Sequence, residues 1–384
     1  MAIVGPQPPH GWNTPFSRWD RYRYRVWDEV LQEWVFRTEP DAGTVRHSPF
    51  WPYYIGAGSV LQRSAEDMPI DPNSAAMAAW MDANSPVPGT GAFGDKTALN
   101  TSQFGTRPIA AYLVDSSDPA CETQTMDTVS GINNLDRPFL LGDIPWPHWM
   151  SPATNGDRSL ALYDIGTGIM REYFFVQPVG DPADRVWRAN SAGWSLAYPG
   201  LRTIGATNYP LQLRGRTSAA VGMHNPLGFI GVSEARRGRI DHAICFTTGQ
   251  MQQGWSWPAV GGDGTSSDTD APVEGQWCRL PMSVNPDDYQ PLTALIIRAF
   301  QQYGGYATDK NLWCHAFNAE SGALEEHFTG ADPWAPGGEL QTMYGTLSVK
   351  DFPWHLTEWA PRDYGRPTPD WGSVGHQPPY DPEA

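Results

Sequence analysis

The chain lacks a basic excess: 26 lysines and arginines face 42 aspartates and glutamates, leaving a net charge of −16. A phosphate backbone needs a compensating basic surface, so nucleic acid is not an expected partner. An anionic envelope polymer would be repelled overall, whereas a neutral glycan is compatible. Cysteine is scarce. Cys121, Cys245, Cys278 and Cys314 lie far apart, with no Cys-x-x-Cys pair and no metal-type spacing. Cys245 and Cys314 fall in apolar strand patterns and read as buried free thiols, with a single disulfide as the alternative. No apolar run approaches the roughly 20 residues that cross a bilayer, so membrane insertion is not expected. Met1–Pro9 has neither the basic start nor the apolar centre of a secretory leader, which predicts synthesis in the cytoplasm.

Known catalytic signatures are missing too. There is no Gly-x-Ser-x-Gly, no His-Glu-x-x-His, no Walker loop and no dinucleotide-type glycine motif ahead of a helix. No cofactor is expected. Gly262-Asp263-Gly264 resembles a fragment of a calcium loop but lacks its acidic alternation and terminal glutamate. Asp263, Asp268 and Asp270 would hold at most an adventitious cation, and no metal site is predicted. No repeat recurs at a period of about 20–50 residues, which argues against a propeller or solenoid.

Proline (36), glycine (39) and tryptophan (18) are abundant instead. That much punctuation leaves little room for long helices, and the chain is long enough to bury a sizeable core. A mainly β class with short strands and long loops follows. Arg18–Arg25 with Val26-Trp27, and then Gln32–Arg37, predict two strands joined by a short turn, either an edge hairpin of the main sheet or a docking arm. Asp71–Met81 carries a helix-start signal and a short helix. Leu160–Tyr163 and Met170–Val176 form the clearest hairpin, around the turn Asp164–Gly168. Thr217–Phe246 predicts a further hairpin, with strands Leu227–Val232 and Ile240–Phe246 about a charged turn at Glu234–Arg237. Pro119–Asn134 reads as irregular. Phe139–Trp149 reads as an extended loop, and Gly249–Gly275 as a long loop with a flexible Gly/Ser/Asp centre. Pro291–Tyr303 is the strongest helix, because Leu292, Leu295, Ile296, Ala299 and Phe300 share one face.

Candidate chemistry is sparse. Asp164 and Glu172 lie in one hairpin and are the only weak candidates for an acid–base pair, which a glycosidase needs about 5–10 Å apart; the alternative for Asp164 is capping its own turn. Asp241 and His242 are adjacent on a predicted strand and so point to opposite faces. That favours a buried His242 bonded to a backbone carbonyl over a binding role. Trp146, Trp149, Trp194, Trp255 and Trp257 all sit in Gly/Pro-rich stretches. Each either pins its loop or offers a flat platform for a sugar ring or partner.

Several segments, in order, resemble the minor tail proteins of actinobacterial phages and related secreted actinobacterial proteins. They are Pro69–Met81 (PIDPNSAAMAAWM), Leu160–Phe174 (LALYDIGTGIMREYF), Trp187, Gly193-Trp194, Leu211–Arg216, Thr217–Phe246, Gly254–Pro258 (GWSWP) and Pro291–Ala307. The likeness runs from about residue 48 to 325. It implies a virion tail-tip protein, oligomeric, that contacts other tail proteins and a host-surface glycan; a polysaccharide-cleaving enzyme is the alternative. With the strand spacing, it predicts a β-sandwich, jelly-roll-like core with long Trp/Pro/Gly-rich loops and one or two short helices. The expected organisation is a docking arm or edge hairpin at 1–45, the core at 46–325 and an extended tail at 326–384.

Overall fold

A computed structural model describes residues 24–28, 33–37, 60–85, 97–101, 109–154, 156–164, 167, 169–196, 214–215, 217–311 and 313–366. Residues 211–213 and 216 of the family-like loop and the tail from 367 onward lie outside the described residues, as does most of the first 59 residues.

Strands Tyr24–Asp28 and Glu33–Arg37 pair antiparallel with each other, as the basic-aromatic alternation predicts. Among the described residues they form a two-stranded sheet that is not joined to a larger one. Three larger sheets make the body. The six-stranded sheet runs in the order Glu358–Trp359, Trp277–Arg279, Gly305–Lys310, Ile244–Thr248, Ala316–Asn318, Ala98–Asn100. The five-stranded sheet runs Arg214–Gly215, Ser191–Leu196, Ile169–Phe174, Leu160–Asp164, Ala110–Val114. The four-stranded sheet runs Gly142–Pro145, Thr123–Val129, Val186–Ala189, Gln177–Pro178.

These sheets are open and mixed. Ile244–Thr248 is parallel to Gly305–Lys310, Ala110–Val114 to Leu160–Asp164, and Val186–Ala189 to Thr123–Val129. A jelly roll would be antiparallel throughout. Parallel neighbours need a long crossover, and the one between Ile244–Thr248 and Gly305–Lys310 contains the helix Pro291–Gln302. That helix lies where its periodicity predicts, with Leu292, Leu295, Ile296, Ala299 and Phe300 buried. Six α-helical segments appear among the described residues, not one or two: Ser74–Asn84, Arg137–Leu140, Val232–Arg237, Pro291–Gln302, Ala323–Thr329 and Glu339–Tyr344.

Alternation along the central strands assigns their faces. Leu160 and Leu162 enter one hydrophobic cluster, with Tyr173, Trp146 and Trp194. Ala161 and Tyr163 enter a second, with Met170, Cys245, Trp277 and Tyr306. Ile244, Phe246 and Ala307 point away from that second cluster into a third, which the helices cover. Both faces of Leu160–Asp164 are thus packed, so every residue in it is buried. Cys245 and Cys314 are buried free thiols, and all four cysteines are unpaired.

Further expectations change. Phe139–Trp149 is not an extended loop throughout, since it holds the end of the helix Arg137–Leu140 and the strand Gly142–Pro145. Thr217–Phe246 is not a hairpin. A 3-10 turn at Asn225–Gly228 leads to the helix Val232–Arg237, and only Ile244–Thr248 is a strand. Glu234 Oε2 accepts the Gly231 N–H at 2.9 Å, and Gly238 ends the helix at φ 69°. An acid in the first turn and Arg236 and Arg237 in the last suit the helix dipole; the same charge order also suits a turn. Pro119–Asn134 contains the strand Thr123–Val129, in which Gln124, Met126 and Val129 are buried. Finally, residues 326–366 are not an extended tail. Trp334, Leu340, Phe352, Trp354 and Trp359 join Phe246, Phe300 and Phe317 in the largest core cluster.

Candidate functional site

The five tryptophans separate by burial. Trp146 is fully enclosed; its Nε1 donates to the Met150 carbonyl at 2.6 Å and its ring lies 5.1 Å from that of Trp187. Trp194 is enclosed as well, stacked 3.8 Å from Phe139 with Nε1 donating to Asp136 Oδ1 at 3.1 Å. Trp149 is half-buried, stacked on His327 at 3.7 Å with its edge toward Tyr112. Trp257 is buried, and its N–H donates to Asp363 Oδ1 at 2.8 Å. Trp146, Trp149 and Trp257 pin their loops, Trp194 lies on the strand Ser191–Leu196 rather than in a loop, and Trp146, Trp194 and Trp257 offer no open face to a ligand. Trp255, at 49% exposure, is the one of the five that faces solvent.

Asp164 and Glu172 are both fully buried, and on opposite faces of their sheet. Glu172 pairs in register with Ala161, whereas Asp164 lies three residues further along that strand. An odd offset reverses the face. Asp164 accepts from the Ser116 N–H at 2.9 Å, the Ser116 hydroxyl at 2.7 Å and the Thr167 hydroxyl at 2.6 Å, which is turn capping. Glu172 Oε1 accepts from the Ser218 N–H at 3.0 Å and from its hydroxyl; Oε2 accepts from the Asn225 N–H at 3.2 Å and faces His224 Nδ1 at 3.1 Å. Two carboxylates saturated with donors on opposite sides of a sheet do not act as an acid–base pair.

His242 is buried, with Nδ1 2.9 Å from the Ala243 carbonyl and Nε2 3.2 Å from Glu234 Oε2. Asp241 diverges from it to pair with Arg237 at 3.3 Å and with Arg239. Burial alone would lower the His242 pKa and raise that of Glu234, but their mutual charge and hydrogen bond outweigh it. His242 is held above the usual imidazole range and Glu234 below the usual carboxylate range. The backbone bond matches the expectation from sequence. The Glu234 partner does not follow from it, because a charged turn at Glu234–Arg237 would leave that carboxylate in solvent.

The segment carrying Trp255 is more ordered than its Gly/Ser/Asp composition suggests. Gln252–Trp255 pairs in parallel with Val273–Glu274, with Trp255 opposite Glu274. The connecting chain is stitched down by Gln253 N–H to the Ser266 carbonyl, Ser266 N–H to the Met251 carbonyl and Val260 N–H to the Val221 carbonyl, each at 2.9 Å. Gly262 is required by close approach: a Cβ there would run into Glu274 Oε2 and lie 2.9 Å from the Gly254 carbonyl.

Opposite Trp255 stands Glu274, which the sequence did not single out, with Asp263 and Asp309 nearby. Glu274 is fully buried, and its Oε2 accepts the N–H of the exposed Asp263 at 2.7 Å. Burial first, and then Asp263, push Glu274 up to about 9. Burial and Asp263 likewise push Asp309 up to about 7. The trace of Glu274 in the sequence is a lone glutamate in the otherwise uncharged run Ala271–Cys278. Among the described residues no group of three His, Cys, Asp or Glu side chains is placed to hold a metal ion.

On the strand that carries Trp255, Gln253 is exposed and Gln252 Oε1 accepts from Arg362. An exposed indole suits the apolar face of a sugar ring. No protein-family model, curated protein or solved structure matches this chain.

Proposed function

We propose that the chain is a structural tail-tip protein of an actinobacterial phage, a minor tail protein that acts as a homo-oligomer beside other tail proteins and touches a host-envelope glycan. Its core would be sandwich-type in a limited sense. Supporting this, the five- and six-stranded sheets share one hydrophobic cluster through Ala161, Tyr163 and Met170 on one side and Cys245 and Tyr306 on the other. The ordered motifs from Pro69 to Ala307 support the tail assignment. The single observation behind the glycan contact is Trp255, exposed in a family-like GWSWP segment whose other tryptophan is buried. The alternative of glycan cleavage by Asp164 and Glu172 loses its support, since the two are enclosed on opposite faces of one sheet.

Paired variants test the contact. Trp255→Ala should weaken adsorption to host cells about tenfold or more, as loss of a stacking anchor does, with an unchanged melting temperature. Trp257→Ala should lower the melting temperature instead, because it empties a buried site. Wild-type adsorption by Trp255→Ala would sink the contact role.

Glu172→Gln offers a second check. Glycan-cleaving activity, if any is detected in the preparation, should be unaffected by Glu172→Gln and by Asp164→Asn as long as the variants fold. Loss of reducing-sugar release in both variants, with circular dichroism unchanged, would restore the enzymatic alternative.

A further inference from the structure

His315 is fully enclosed, and both of its ring nitrogens are engaged. Nδ1 lies 3.2 Å from the Gly249 amide nitrogen, and Nε2 lies 3.0 Å from the Met81 carbonyl oxygen. A backbone N–H only donates and a carbonyl only accepts, so Nδ1 accepts and Nε2 carries the proton. That is the neutral ring, fixed in one tautomer. A second proton would have to sit on Nδ1, aimed at the Gly249 N–H, and would break that bond.

The ring stands at a junction. Met81 is in the last turn of the helix Ser74–Asn84, and Gly249 follows the strand Ile244–Thr248. The backbone of His315 holds the same place: its N–H donates to the Ser85 carbonyl at 3.1 Å, and its carbonyl accepts the Ala98 N–H at 2.9 Å. The Trp354 ring packs edge-on, 5.2 Å from the imidazole. Two charged groups come from the covering elements. Asp82 follows Met81 and His355 follows Trp354, and these two exposed side chains lie 3.8 Å from each other. The remaining neighbours are uncharged: the hydroxyls of Ser85 and Thr97, and the Cys314 thiol, which burial pushes up to about 11.

We propose that His315 is an acid-sensitive clasp: neutral, it bonds the end of the helix Ser74–Asn84 to the exit of the strand Ile244–Thr248, and a proton on it breaks that link and loosens the fold. The segment beyond Met251 keeps its own backbone bonds in either state, so what loosens is the junction. The inference stands apart from the glycan contact.

The direction follows from linkage. Burial pulls His315 down to about 4, against a smaller lift from the Met81 bond. A histidine whose folded pKa lies below its unfolded value binds more protons when unfolded. Its contribution to stability is therefore complete above the unfolded value of 6.5 and is lost as pH falls toward about 4.

Glutamine imitates the neutral ring, with an oxygen to accept from Gly249 and an NH2 to donate to Met81, and it does not titrate. Urea unfolding of the full-length wild type and of His315→Gln, from above pH 6.5 down to about 4, tests the proposal. The ratio of wild-type to variant folding constants should fall by up to about tenfold per pH unit, the limit for one linked proton. His242 and Glu234 are present in both proteins and cancel in that ratio. A ratio that stays constant across the range overturns the proposal. Should His315→Gln fail to fold, hydrogen exchange of the Gly249 amide in the wild type takes its place, with rates divided by their intrinsic values. Its opening constant should rise as pH falls below 6.5, and a flat or falling constant overturns the proposal.

Discussion

A chain ending at Gly330 should not fold. The missing segment holds Trp334, Trp354 and Trp359, all essentially without solvent exposure. Trp354 lies 5.0 Å from Phe246, 5.6 Å from Phe317 and 4.7 Å from Phe352, and its Nε1 donates to Thr97 Oγ1 at 2.6 Å. The strand Glu358–Trp359 also completes one edge of the six-stranded sheet against Trp277–Arg279. Emptying a single buried aromatic site costs about 3–5 kcal/mol. Losing three exceeds or consumes the roughly 5–15 kcal/mol that holds a folded domain. The truncated chain should show no cooperative melting transition and should partition to the insoluble fraction. A soluble fragment with a sharp transition would show that residues 331–366 dock on a body that is stable without them.

Glu234→Ala should cost about 3–5 kcal/mol near pH 5.5, because it leaves a charged His242 enclosed without its counter-ion. Two titrations define the window. The His242 pKa is raised on folding, so its contribution is complete below the unfolded value of 6.5 and lost as pH climbs through the folded value. The Glu234 pKa is lowered on folding, so its contribution is complete above 4.5 and lost as pH falls through the folded value. Both act together between about 4.5 and 6.5. The deficit of Glu234→Ala should therefore be largest there and shrink toward pH 9, where His242 can stay neutral. Urea denaturation of both proteins at the two pH values measures it. A deficit below about 1 kcal/mol near pH 5.5 would mean that the pair is dispensable packing.

The limits of sequence are visible in particular residues. Leu160–Phe174 is legible as a hairpin because its alternation and its Asp/Gly turn are local. The faces of its residues are legible only as parity; which face meets which cluster is not. Glu234–Arg237 reads as a charged turn because acid-then-base over four residues serves a turn and a short capped helix alike. The Gly231 N–H and Gly238 decide between them only once φ values exist. The C-terminal segment misleads for a related reason. Proline and glycine between tryptophans look extended, but Trp334, Trp354 and Trp359 are buried by partners 200 or more residues away in places, as with Thr97 and Ser74.

By itself the sequence determined what depends on neighbours along the chain: the helix Pro291–Gln302 from its apolar period, the hairpin at Asp164–Gly168 from its turn residues, the scattered thiols, and the acidity that disfavours nucleic acid. Only the tertiary structure decided which of five similar tryptophans remains exposed, and that Asp164 and Glu172 lie on opposite sides of a sheet. It also decided that Glu274 is fully buried, with the Asp263 N–H on its Oε2. The physical reason is the same in each case. Burial, ion pairing and hydrogen bonding depend on distances between segments far apart in the chain, and those distances are set by strand order and register, which no local pattern encodes.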